Sequence, residues 1–291
     1  MKKSILSIAL IAFMGTMFTS CHKQEKSQPA VEQSALKTFK LSANIIVYDQ
    51  QLANQQVPMM SEADVKLLCK VATADLGSAW QAFKLVARIA GPGYGGAAAL
   101  LAGIGGSLYT WWLESETKMA KIDNPNTDVT LPVTDPEAAG QIHNKYVHFI
   151  ATQHANVMNQ DFQNMSTGTH SLLVNGLSAE FNLSSTTLAA SIPVADYQDI
   201  LDNHVGNMTI QQIYDKGIAD GTPVYLCNYM NEFLTRAANP ATFTYDAALN
   251  YSDLFIADVK TQNFTQFEKD YLISCISIYK NSLKYWHYNL N

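Results

Sequence analysis

Apolar and polar positions alternate with a helical period along most of this chain. From Ser61 onward the apolar residues fall at Val65, Leu68, Ala72, Leu76, Ala79, Trp80, Phe83 and Val86. That i, i+3, i+4 recurrence gathers them into one stripe on one side of a helix. Ser61 is placed to cap the helix, and Glu62 and Asp64 stand in the first turn, where the backbone dipole favours carboxylates. The stripe runs to Ile89 and breaks at Gly91-Pro92-Gly93, because proline lacks a backbone donor and disfavours helical torsions in the residue before it.

The same reading predicts a helix capped by Thr134 or Asp135, with Pro136 in its first turn, running through Ile142, Tyr146 and Phe149 to Met158 and Phe162. Shorter helices follow over 196–204, over 209–219 behind a Thr209 cap, from Pro223 to Asn239, and over 247–259. Thr265 and Glu268 form a capping box for a last helix whose stripe passes through Tyr271, Leu272, Cys275, Ile278 and Leu283 to Trp286. Residues 36–48 have mixed periodicity and read as a short strand or edge segment. Residues 166–185 read as loop or short pieces. Nothing alternates as a run of strands, so the expected class is all-α, a helical bundle.

Between the first two long helical patterns lies an unusual stretch, 85–113. It carries no charge after Arg88, and small residues recur at Gly91, Gly95, Ala99, Gly103 and Ser107. A glycine inside a helix costs about 1 kcal/mol against alanine, so a helix that accepts several must recover the loss by close packing. Small residues four apart line one side and let another backbone approach. This face is expected to be a helix-packing surface at the centre of the bundle. Alternatively, residues 89–113 are long enough to enter a bilayer, with Tyr109, Trp111 and Trp112 at one end suited to its interface.

Composition narrows the partners. The 291-residue chain has a formal net charge of −6 and no basic run, which speaks against nucleic acid. Cys69, Cys227 and Cys275 lie in apolar helical patterns without a CxxC, so small buried thiols are expected rather than a zinc site. Their pairing stays open. No metal and no cofactor is expected. His143, His148 and His154 fail as a metal set: on one helix the first two point about 140° apart, and the first and last stand on the order of 16 Å apart. Glu114 and Glu116 face apart, and Asp196, Asp199 and Asp202 read as an exposed helix face. No GxSxG, phosphate-loop or dinucleotide pattern occurs.

The first residues read as an address. Met1-Lys2-Lys3 is a positive start, 5–18 an apolar run too short to span a membrane, and Thr19-Ser20 leads into Cys21. This resembles a bacterial lipoprotein signal, which implies cleavage after residue 20 and a lipidated Cys21. The alternative is an ordinary secretory signal. Residues 21–35 then form a flexible tether and 36–291 a single helical domain. No Asp follows Cys21, and the resemblance implies outer-membrane placement rather than retention at an inner membrane.

Three features together resemble a group of Bacteroidetes lipoproteins of unassigned activity. They are Ala74-Asp75-Leu76-Gly77 leading into the glycine-rich stretch, a Gly-x-Ile-His-Asn element at 140–144, and the Glu-Lys-Asp-Tyr-Leu…Ser-Leu-Lys-Tyr-Trp pattern of 268–286. The resemblance implies a shared fold and transfers no activity. Three roles remain open on the sequence. The first is a lipid-anchored binding or structural module, with the membrane held through Cys21 and His143 and Asn144 as possible contacts to a protein or glycan. The second is a membrane-active protein inserting 89–113. The third is an enzyme pairing His143 with Glu114 or Asp196.

Overall fold

The computed structural model describes residues 38–53, 62–114, 127–204, 209–239 and 242–290. The expected signal peptide, Cys21 and the tether lie outside them, as do Ser61 and Glu116. The described residues form twelve helices and no strand, an all-α fold. In chain order these are α1 (Ala43–Ala53), α2 (Glu62–Ala90), α3 (Pro92–Glu114), α4 (Ala138–Gln153), α5 (Ala155–Met158) and α6 (Phe162–Glu180). They continue as α7 (Ser185–Ser191), α8 (Val194–His204), α9 (Ile210–Ala219), α10 (Val224–Ala237), α11 (Tyr245–Thr261) and α12 (Gln266–Leu290).

The break between α2 and α3 is a single residue, Gly91, at φ +100°. L side chains rarely adopt that torsion, and Pro92 then begins the new helix, where its missing donor is harmless. The chain therefore folds back on itself. A Cβ at Gly95 would come 2.7 Å from Ala87 Cβ and 3.2 Å from the Phe83 carbonyl, and one at Gly103 would come 3.3 Å from the Asp75 carbonyl. The rising numbers on α3 meet falling numbers on α2, so the two run antiparallel at close range. α3 is buried on all sides from Ala97 to Leu108. Helices apolar all round belong in interiors.

The face expected to pack or to meet lipid is thus covered by α2. Among the described residues no helix is long and apolar enough to cross a membrane. α3 has the length, but its glycines make it too weakly hydrophobic.

α12 lies against α2 and α4, α4 closes on α3, and α6 and α8 flank α3 on its other side. A Cβ at Gly105 would strike the Tyr197 ring of α8 at 2.3–2.7 Å, so the glycines serve two faces. α10 and α11 continue outward from α12. α1 is clipped to them: Arg236 Nε donates to both Asp49 oxygens at 3.1–3.2 Å, and Tyr251 Oη donates to Asp49 Oδ1 at 2.7 Å. The Ser42 amide donates to Asp258 Oδ1 at 3.0 Å.

Three expectations change. Residues 43–53 are helical, because Ile45 buries against the body while Ile46 and Val47 stay exposed. Residues 162–180 form one long helix, capped by Asp161 accepting from the Asn164 amide. Its buried face includes Ser166, Thr169, His170 and Ser178, and this polarity hides the stripe. The helix expected to run to Phe162 instead ends at Gln153, gives one turn of α5, and restarts behind Asp161. It also starts later than expected, at Ala138, with Asp135 Oδ1 accepting from the Glu137 amide in the preceding turn. Thr209 caps its helix as read, with Gln212 completing a capping box that was not foreseen, and the Thr265–Glu268 capping box forms as read.

Candidate functional site

α4 has two chemically distinct faces. The inner one closes a polar cluster at the junction of α2, α3, α4 and α12. Asp75 has no exposed surface, and its Oδ2 accepts from Ser107 Oγ of α3 and Ser282 Oγ of α12. His143 Nε2 of α4 lies 3.4 Å from the same oxygen and 3.2 Å from Ser107 Oγ. Trp286 Nε1 donates to Ser107 Oγ at 3.4 Å. On the other side of the ring, His143 Nδ1 is 3.1 Å from Asn144 Oδ1, and Asn144 Nδ2 donates to the Asn281 carbonyl at 2.9 Å.

These contacts fix where the protons are needed. A carbonyl can only accept, so Asn144 turns its NH₂ to Asn281 and its oxygen to His143, and Nδ1 must donate. Ser107 gives its one proton to Asp75, and His143 Nε2 faces both that serine and the carboxylate, so the ring and Asp75 answer each other's polar groups inside the core. Burial of a lone carboxylate here would cost far more than burial of the pair. Asp75 Oδ1 has no partner among the described residues.

Ser107, His143 and Asp75 are the residue types of a hydrolytic triad, but the arrangement is a different one. In a triad the acid holds Nδ1 and the serine faces Nε2. Here both sit at Nε2, and all three residues are at 0% exposure. His143 does not face Asp196, which lies on the exposed side of α8, and the Glu114 side chain lies outside the described residues. The expectation that His143 and Asn144 touch a partner is corrected: neither has any surface to offer. The three sequence patterns noted above converge at this point, supplying Asp75, then His143 and Asn144, then Ser282 and Trp286. Gly140 belongs with them, since a Cβ there would meet the Ser277 carbonyl of α12 at 2.2 Å.

The other candidates separate. Asp196, Asp199 and Asp202 lie on an exposed face. His148 is half-buried and His154 packs edge-on against Phe149 at 4.8 Å. Among the described residues no three His, Cys, Asp or Glu side chains converge as a metal site would require. Cys69, Cys227 and Cys275 are buried free thiols. Burial pushes the Cys69 thiol up to about 12 and that of Cys275 well above its ordinary range.

The outer face of α4 borders a cleft of about 1000 Å³, closed on one side by residues 127–133 and on the other by α6. Lys145, Tyr146, His148, Phe149 and Gln153 line it from α4, and Leu172, Asn175, Gly176 and Glu180 from α6. Glu180 ties the two helices together, its Oε2 taking Lys145 Nζ at 2.5 Å and Tyr146 Oη at 3.3 Å. Burial and the Glu180 carboxylate push the Tyr146 hydroxyl up to about 12, so it remains a donor at neutral pH. A Cβ at Gly176 would fall 2.3 Å from Tyr146 Cε1. Glycine there lets the ring lie against the α6 backbone. Phe149 stands edge-to-face with Tyr146, centroids 6.2 Å apart. Gln141 Oε1 accepts from the Thr130 and Leu131 amides at 2.8 and 3.1 Å and pins the 127–133 segment to α4.

Sequence reading missed Asp75 and the cleft. Asp75 had a signal: it stands three residues after Ala72 and four before Ala79, inside an apolar stripe where a carboxylate needs a partner. The cleft had none, because Lys145 and Glu180 are 35 positions apart and α6 was not recognised as a helix. The chain matches no protein-family model, no curated protein and no solved structure.

Proposed function

We propose that this protein is a lipid-anchored binding module of the bacterial cell envelope and that the α4–α6 cleft is its ligand site. The observation that carries the reading is the cleft itself. It is concave, of the size that takes small ligands, and lined by aromatic rings beside groups that can donate and accept hydrogen bonds. Its walls are two helices and a pinned segment, so little order is lost on binding. The residues that would most readily serve nucleophilic catalysis are spent in the core on the far side of α4, where no substrate reaches them. This favours binding over turnover. Insertion of 89–113 into a bilayer draws no support from a helix whose glycine face α2 already occupies.

The address rests on the N-terminal pattern ending at Cys21. Mass spectrometry of the cell-derived protein is expected to find an acylated Cys21 at the mature N-terminus, and Cys21→Ser is expected to leave the membrane fraction. For the site, the full chain is incubated with glycan, peptide and ester panels. Retention of a ligand without product is the expected result, and steady turnover of any panel member would sink the binding reading.

A further inference from the structure

We infer that the ligand of this cleft is a neutral sugar chain, an inference that rests on the binding reading above. The charge of the walls comes first. Lys145 is the single Lys or Arg among the described residues that line it, and its ammonium is already held by Glu180. Asp128 adds an exposed carboxylate at the rim. Among the described residues a phosphate or carboxylate ligand would find no uncompensated Lys or Arg and would meet the Asp128 carboxylate, so anions are disfavoured.

A lipid tail fits no better. It would strip water from Asn175, Gln153 and Glu180 without replacing their hydrogen bonds, and each such loss is costly. A peptide bound by strand addition, or as an amphipathic helix, finds neither a sheet edge nor an apolar groove here. The described residues contain no strand, and this groove is half polar.

A sugar ring has the matching pattern. Its C–H face can rest on the ring of Phe149, with Tyr146 fixed behind it by Gly176. Its hydroxyls both donate and accept, as do the amides of Asn175 and Gln153, while Glu180 Oε1 takes no hydrogen bond from any described residue. The Lys145–Glu180 pair thereby acts as a neutral, hydrogen-bonding wall. The volume of about 1000 Å³ calls for a short oligosaccharide rather than one ring.

Hydrogen exchange on the detergent-solubilised full chain tests this with four probes: a malto-, xylo- and chito-oligosaccharide set, a uronic-acid oligomer, short neutral peptides, and a fatty acid. A neutral oligosaccharide is expected to protect 127–133, 145–153 and 172–180 and nothing on α1 or α9. Asn175→Ala, at an exposed position, is expected to weaken that binding at least tenfold without moving the melting temperature, and Phe149→Ala by more. Protection of the same segments by the acid, peptide or lipid instead would overturn the sugar assignment and leave the binding reading standing. Protection by none of them would overturn both.

Discussion

At the scale of single residues, Asp75 and His143 hold the centre of the buried polar cluster. Neither has surface, and Nε2 of the ring lies 3.4 Å from the carboxylate. Asp75→Ala leaves Ser107, Ser282 and His143 without the acceptor they share, and stranding a buried polar group costs about 1–3 kcal/mol. Urea unfolding is expected to show that loss as a lower midpoint with an unchanged slope. His170 makes a different prediction. It is 5% exposed, its Nε2 lies 2.7 Å from the Ile192 carbonyl, and burial lowers its pKa. The folded state therefore resists a proton that the unfolded chain accepts near pH 6.5. Stability is complete above that value and falls as pH drops below it, before the carboxylates titrate. His170→Gln is expected to flatten the melting curve between pH 7 and 5. Of these two residues only Asp75 left a trace in the sequence. A buried histidine on α6 looks, in sequence, like any polar position.

At the scale of elements, α3 separates glycines that packing demands from one that it does not. A Cβ at Gly105 or Gly95 collides with α8 or α2, whereas one at Gly96 meets nothing within 4 Å. Gly96 borders a smaller depression of about 320 Å³ beside Phe83 and Leu100. Gly96→Ala is expected to stabilise the protein by about 0.5–1 kcal/mol, the helix-propensity difference. Gly105→Ala is expected to destabilise it, because the Tyr197 ring must move. Thermal melting of the two single variants gives opposite signs if α3 is packed as described. The length and amphipathic pattern of α2, α10, α11 and α12 were legible because their buried positions are apolar and regularly spaced. The start of α4 and all of α6 were not, since a turn precedes the one and Ser, Thr and His share the buried face of the other.

At the scale of the whole molecule, the polar cluster acts as a registration point. Four helices each contribute a group, and sliding any one of them by a turn would strand a buried polar group. An apolar core tolerates such slips more easily, because burial alone is not directional. The sequence carried the class and most of the elements but not this convergence, which depends on positions 75, 107, 143 and 282 meeting in space. The three body cysteines give a check on core integrity. Cys69, Cys227 and Cys275 are expected to stay unreactive toward an aromatic disulfide in the native protein at pH 8, and to react together on unfolding. Early modification of one thiol would indicate a local opening.

The clip on α1 has a mechanical meaning. The chain enters the helical body through this short helix, so tension on the N-terminal segment arrives there before it reaches α2. Asp49 answers with Arg236 and Tyr251, and Asp258 with the Ser42 amide, contacts to α10 and α11 rather than to the next element in sequence. A pull is thereby shared with the far end of the chain, loading polar contacts sideways instead of peeling α2 from α3. In single-molecule stretching from the N-terminus, Asp49→Ala is expected to lower the force of the first rupture while leaving the main unfolding event in place. The device acts as a strain relief, like the collar where a cable enters its housing.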